Sequence, residues 1–172
     1  MSRILATCCL LLLSWGLGCG TPARRDPGAV AAAYAAAGRY DDAAREIDLA
    51  VRGHPRDVPL RLRAAEIHAQ ADQAERAIDH LEIVVNQLAP QDAAAWVQLA
   101  DLERQRENVT DAYVAYRRAA ELAPDDIRAV SGLALTADSL GFDDEARDAY
   151  ARWAELERRY EREGPPPANS PF

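Results

Sequence analysis

Residues 112–124 read AYVAYRRAAELAP, and this stretch decides the fold. Alanine at 112, tyrosine four residues later at 116, alanine at 119 and proline at 124 describe an amphipathic helix that ends in a turn. The arrangement recurs. The stretches YDDAAREI, QAERAIDHL and FDDEARDAY set Ala43, Ala77 and Ala146 in equivalent places, so the four alanines lie 34, 35 and 34 residues apart. Ile47, Leu81 and Tyr150 correspond to Tyr116; Ala50, Val84 and Trp153 correspond to Ala119; Pro55 and Pro90 correspond to Pro124. Repetition at this period marks a stacked array of supersecondary units, none of which buries its apolar face alone.

Each unit reads as two amphipathic helices joined by a short turn. The repeated alanine is small where two helices approach within roughly 8–10 Å, and the large residue one turn later fills the space beside it. The predicted pairs are 28–37 with 41–52, 58–71 with 74–87, 92–106 with 110–122, and 126–140 with 144–163. Ala77 to Pro90 is one residue longer than the matching intervals, which places the extra residue in NQLAP, at the second unit's C-terminal turn. Asp92, Asp125 and Asp143 precede helices and are expected to accept from free backbone N–H groups. Gly38 and Gly141 are expected to end first helices with φ > 0.

The third unit carries the clearest family pattern: Trp96, Leu99, Ala100, Ala112, Tyr116, Ala119 and Pro124. It resembles the tetratricopeptide repeat. Unit one contributes Ala31, Tyr34, Gly38, Ala43 and Pro55, and unit four Leu133, Ala134, Gly141, Ala146 and Tyr150; unit two is weaker, with Ala64, Ala65, Ala77 and Leu81. The resemblance implies an all-α fold, an alpha-alpha superhelix (solenoid) of about four helix-turn-helix units over residues 28–163. The ends should differ from the middle, as caps of a solenoid do. Trp153 stands where the family prefers a small residue and is expected to cover the last unit. The alanine-rich first helix, AVAAAYAAA, reads as a helix suited to tight packing, with docking on another chain as the alternative. Residues 164–172, after the charged last helix, are expected to be a disordered tail.

The 172 residues carry 28 acidic and 20 basic side chains, a net charge of -8, and every basic residue is Arg. The mean field repels phosphate, which argues against nucleic acid as partner. All three cysteines, Cys8, Cys9 and Cys19, lie in the first nineteen residues. Arg3, the apolar run ILATCCLLLLSW and the small residues Gly16, Gly18 and Gly20 describe an export signal over 1–18. GLGCG resembles a bacterial lipobox, with Gly18 and Cys19 in its last two places and Gly16 where Leu is usual. That resemblance implies lipidation of Cys19, a short lipid-anchored linker over 19–27 and, with Gly20 after the cysteine, an outer-membrane lipoprotein facing the periplasm. The alternatives are ordinary cleavage after Gly20, which leaves a free periplasmic protein, and an uncleaved anchor. No intrachain disulfide survives either cut.

No catalytic or metal-binding motif emerges. His54, His68 and His80 lack ligand spacing and are expected on the surface or in the groove. The pairs Asp41-Asp42, Asp125-Asp126 and Asp143-Asp144 fit helix starts, where acids complement the dipole. The reading is therefore a non-catalytic interaction module without a cofactor or metal. In the tetratricopeptide family the first helices of successive units line a groove. The resemblance places Leu62, Glu66, Ala69 and Gln70, then Val97, Asp101, Arg104 and Gln105, then Ser131, Leu135 and Asp138 on that face. An apolar row (Leu62, Val97, Leu135) beside acids (Glu66, Asp101, Asp138) suits a protein or peptide segment with apolar anchors and basic residues. The Lys-and-Asn clamp of chaperone-binding members is missing. An adaptor in the cell envelope, a pilotin-like assembly factor for a secretin, pilus or outer-membrane complex, and a soluble periplasmic accessory of an envelope enzyme all fit this reading.

Overall fold

The computed structural model describes Asp26 and residues 28–164. Among these the chain is all helix: α1 (Ala29–Ala36), α2 (Tyr40–Gly53), α3 (Val58–Gln70), α4 (Ala74–Ile83), α5 (Ala93–Gln105), α6 (Val109–Leu122), α7 (Ile127–Ser139) and α8 (Asp143–Glu163). Each helix packs on the next in sequence, and α5 also touches α7 directly. The repeated alanines Ala43, Ala77, Ala112 and Ala146 are all buried, and Ile47, Leu81 and Tyr116 fill the space beside them. Tyr150, in the last unit, is half-buried and stacks on Trp153 with ring centroids 6.1 Å apart. Both rings pack against the core in the last described unit.

The extra residue of unit two is absorbed by a π-helical turn, Val84–Leu88, that continues α4. Ala89 N–H donates to the carbonyl of Val84, five residues back, at 2.7 Å. Widening one turn accommodates an insertion without breaking the helix, so Val84 and Val85 both stay in the core. The insertion thus begins before the NQLAP turn, inside the helix itself.

Helix ends are set by side chains that recur with the repeat. Asp57, Asp92 and Asp126 are the N-caps of α3, α5 and α7; they accept from Leu60 N–H (3.0 Å), Ala95 N–H (3.1 Å) and Arg128 N–H (2.8 Å). Asp125 is not a cap, because its carboxylate pairs with Arg159 at 3.0 Å. Asp143 is the first residue of α8 and makes no capping bond. Within each unit the turn closes on one backbone bond of 2.9 Å: Arg39 N to Tyr34 O, Gln73 N to His68 O, Asn108 N to Glu103 O, Phe142 N to Ala137 O. The preceding residue is left-handed every time. Glycine serves at 38 and 141, but Asp72 (φ 59°) and Glu107 (φ 64°) adopt the same conformation with side chains.

The apolar core is divided. A smaller cluster joins Ala31, Ala43, Ala44, Ile47 and Val51 to Leu60, Ala64 and Ile67 of α3. A larger one runs from Ala65 and α4 through α8. Helix α3 contributes to both.

Candidate functional site

The first helices α3, α5 and α7 share a register, and one turn along each side of them gives three rows. Leu62, Val97 and Ser131 form one row; Glu66, Asp101 and Leu135 the next; Ala69, Arg104 and Asp138 the third. Glu66, Ala69, Gln70, Arg104, Gln105, Leu135 and Asp138 are exposed, whereas Leu62, Asp101 and Ser131 are half-buried. Val97 is 1 % exposed and belongs to the core, so the expected apolar row Leu62–Val97–Leu135 is not a continuous surface. Leu135 instead stands out alone among polar neighbours, 47 % exposed. Between α3 and α5 lies a cleft of about 270 Å³, walled by Ala65, Glu66, Ala69, Gln98, Asp101 and Leu102, with Leu81 of α4 also lining it.

The acids on this face are not equivalent. Asp101 is occupied on both oxygens: Tyr116 O–H donates to Oδ1 and Arg128 pairs with Oδ2. Tyr116 reaches that carboxylate from α6 by passing between α5 and α7, and the helix α7 gives way at Gly132. A Cβ there would sit 2.4 Å from the Tyr116 ring. Burial, reinforced by the bond to Asp101, pushes the Tyr116 phenol up to about 12. Asp138 accepts from Tyr150 O–H at 3.3 Å. Glu66 has no ion-pair partner among the described residues. Of the three acids expected beside the apolar row, Glu66 is without an ion-pair partner among the described residues, Asp101 is taken by Tyr116 and Arg128, and Asp138 is in a weak bond to a tyrosine.

The histidines depart furthest from expectation. His54 is exposed, but His68 is fully buried and His80 half-buried, so neither of these two lies on the surface or in the groove. The fold brings both to Asp48 of α2, although 20 and 32 residues separate them from it in sequence. His68 Nε2 is 2.9 Å from Asp48 Oδ1, and His80 Nε2 is 3.8 Å from the same oxygen. The two rings stack 5.3 Å apart. His68 Nδ1 faces Gln73 Oε1 at 2.9 Å, Arg61 donates to His80 Nδ1 at 3.3 Å, and Arg76 pairs with Asp48 Oδ2 at 3.0 Å. Burial holds the His80 imidazole below its usual range, and the neighbouring His68 and Arg61 add to that effect. The repeat register alone hides this cluster, because its members come from three helices and share no row. The matching position in unit three also buries a polar group against the turn: Glu103 accepts from Asn108 at 2.8 Å.

Cys19, the export signal, most of the linker and the tail after Gly164 lie outside the described residues. Among the described residues no helix is long and apolar enough to cross a membrane.

No protein-family model and no curated protein matches the sequence. Solved structures do. A crystal structure of MamA superposes with a TM-score of 0.69 at 23% identity, covering 77% of this chain and 77% of that one. A double mutant of MamA from RS-1 gives 0.69 at 24% identity over 79% and 78% of the two chains. MamA 41-end from Desulfovibrio magneticus RS-1 gives 0.65 at 21% identity over 80% and 76%. The shared feature is the fold: a superhelix of tetratricopeptide-type helix pairs.

Proposed function

We propose that this chain is a non-catalytic protein-interaction module, held in the bacterial cell envelope by a lipid on Cys19, that binds a partner segment along α3, α5 and α7. The observation that carries the binding half is the composition of that face. Glu66, Gln70, Gln105 and Leu135 are exposed in the middle or last turn of helices packed into the array. An exposed leucine on α7 and, across α5 from it, an acid without an ion-pair partner at an open cleft suit an extended segment with one apolar anchor and one basic side chain. Asp101 is already neutralised within the fold, so the basic residue of the partner is matched to Glu66. The envelope half rests on the apolar leader and the lipobox-like GLGCG. Two or more acyl chains suffice for stable anchoring.

The test is crosslinking in intact cells followed by detergent extraction and mass spectrometry of adducts and of the N-terminal peptide. The expected result is a modified Cys19 at the N-terminus and an adduct that disappears when Leu135→Asp and Glu66→Arg are introduced together. An unchanged adduct in that variant contradicts the binding face. A soluble protein beginning after Gly20 contradicts the anchor.

A further inference from the structure

We propose that Asp48, His68 and His80 form a zinc-binding site that ties together α2, α3 and α4, at the junction of the first two units. Two imidazole nitrogens and a carboxylate oxygen are a standard donor set for zinc, with the fourth position left for water. The three donor atoms lie within 4.8 Å of one another. Tetrahedral zinc with bonds of about 2.0–2.1 Å holds its ligand atoms roughly 3.3 Å apart. The separations of 2.9 Å (His68 to Asp48) and 3.8 Å (His80 to Asp48) bracket that spacing.

The surroundings favour metal on these atoms. His68 Nδ1 lies 2.9 Å from Gln73 Oε1, and its Nε2 is hydrogen-bonded to the Asp48 carboxylate at 2.9 Å. A proton bridges Nε2 and Oδ1 in that bond, and zinc would take its place. A carbonyl on the distal nitrogen is also the usual outer partner of a zinc-bound histidine. Arg76 takes Asp48 Oδ2 and leaves Oδ1 for the metal. The Asp48 and His80 side chains retain 18% and 14% exposure, which gives an entry path to the otherwise buried His68.

Arg61 is the competitor. Its guanidinium donates to His80 Nδ1, which fixes the proton of the neutral ring on Nε2. Zinc needs the Nε2 lone pair, so the ring proton must sit on Nδ1 instead, and Arg61 must turn away from it. Its second anchor, the bond from Nε to the Pro55 carbonyl at 2.7 Å, holds the side chain near the ring. Occupancy of the site and the position of Arg61 are therefore linked.

The experiment is a calorimetric titration of the full chain in detergent with zinc chloride, its cysteines alkylated, with cobalt(II) absorption as a report on coordination. Wild type is expected to bind one zinc with tetrahedral cobalt absorption. His80→Gln and Asp48→Asn, both at partly exposed positions, are expected to weaken binding by more than the roughly 10–100-fold that loss of an outer partner costs. Arg61→Met, which leaves all three ligands in place, is expected to bind zinc more tightly than wild type. Absence of stoichiometric binding overturns the proposal, as does binding that His80→Gln and Asp48→Asn leave unchanged. If either ligand variant loses its helical circular dichroism without metal, Arg61→Met decides: binding no tighter than wild type overturns the site as drawn.

Discussion

The two ends of this solenoid are built on different principles. At the junction of the first two units, charged and polar groups from α2, α3 and α4 meet around His68, and the apolar core is interrupted there. At the junction of the last two, an aromatic ring seats against bare backbone: Tyr116 fits on Gly132, and its hydroxyl finishes on Asp101. The equivalent buried positions on α3, α5 and α7 show the gradient, from His68 through Glu103 to Ala137. A polar junction joins two cores through directional bonds and contributes little net stability when its groups must be desolvated. A packed junction couples its neighbours through shape, where a single methyl group is felt. One repeat can therefore hold a separable first unit and a cohesive remainder within one register.

The sharpest way to break the comparison is Ile47→Ala. Ile47 is fully buried in the smaller core, and the truncation is expected to cost about 2–5 kcal/mol. Hydrogen exchange read by mass spectrometry should show the loss in α1 and α2 and the facing side of α3, with α5–α8 protected as before. Uniform acceleration along the whole chain would mean that the polar junction couples the two cores as tightly as packing does.

Gly132→Ala probes the other end. Helix propensity favours alanine, but its Cβ meets the Tyr116 ring, and overpacking of this kind costs roughly 1–3 kcal/mol. Chemical denaturation should register a net loss across the larger core, and most of it should vanish in a Tyr116→Leu background. A stabilised single variant would show that the ring is not tightly seated.

The same tyrosine gives a pH signature. Its phenol is held neutral up to about 12, against an ordinary value of 10. A raised folded-state value means the contribution is complete below pH 10 and is lost as pH rises toward 12. Ultraviolet titration should show one tyrosine ionising about two units late, and denaturation midpoints should fall across that window. Tyr116→Phe should remove the late phase. The smallest effect is expected at the turns. Glu107 holds a left-handed conformation that glycine adopts without strain, so Glu107→Gly should raise stability by about 0.5–1 kcal/mol. Asp72→Gly should gain less, because aspartate tolerates that region better than glutamate.

Much of this architecture was legible in the sequence, and the reason is the repeat. Four copies of one pattern place eight helices, since each copy constrains the others, and the glycines at 38 and 141 announce their turns. The extra residue before Pro90 was visible as a count, but a longer loop and a π-helical turn have the same length. The capping rule fits Asp125 and Asp126 equally, and only geometry separates Asp126 on the backbone from Asp125 on Arg159. The binding face was readable as a register but not as a surface. Val97 lies in the row of Leu62 and Ser131, yet its helix sinks between neighbours on both sides. The cluster at His68 was the least legible, because Asp48, His68 and His80 meet only when three helices are laid against one another.

The most direct test of the account is a photo-activatable residue placed at position 135, on the face formed by α3, α5 and α7, compared with one at position 114 on α6. Both native side chains are apolar and comparably exposed, at 47% and 48%. A discrete partner adduct is expected from position 135 in intact cells and none from position 114. Adducts from position 114 alone, or equally from both, would contradict it.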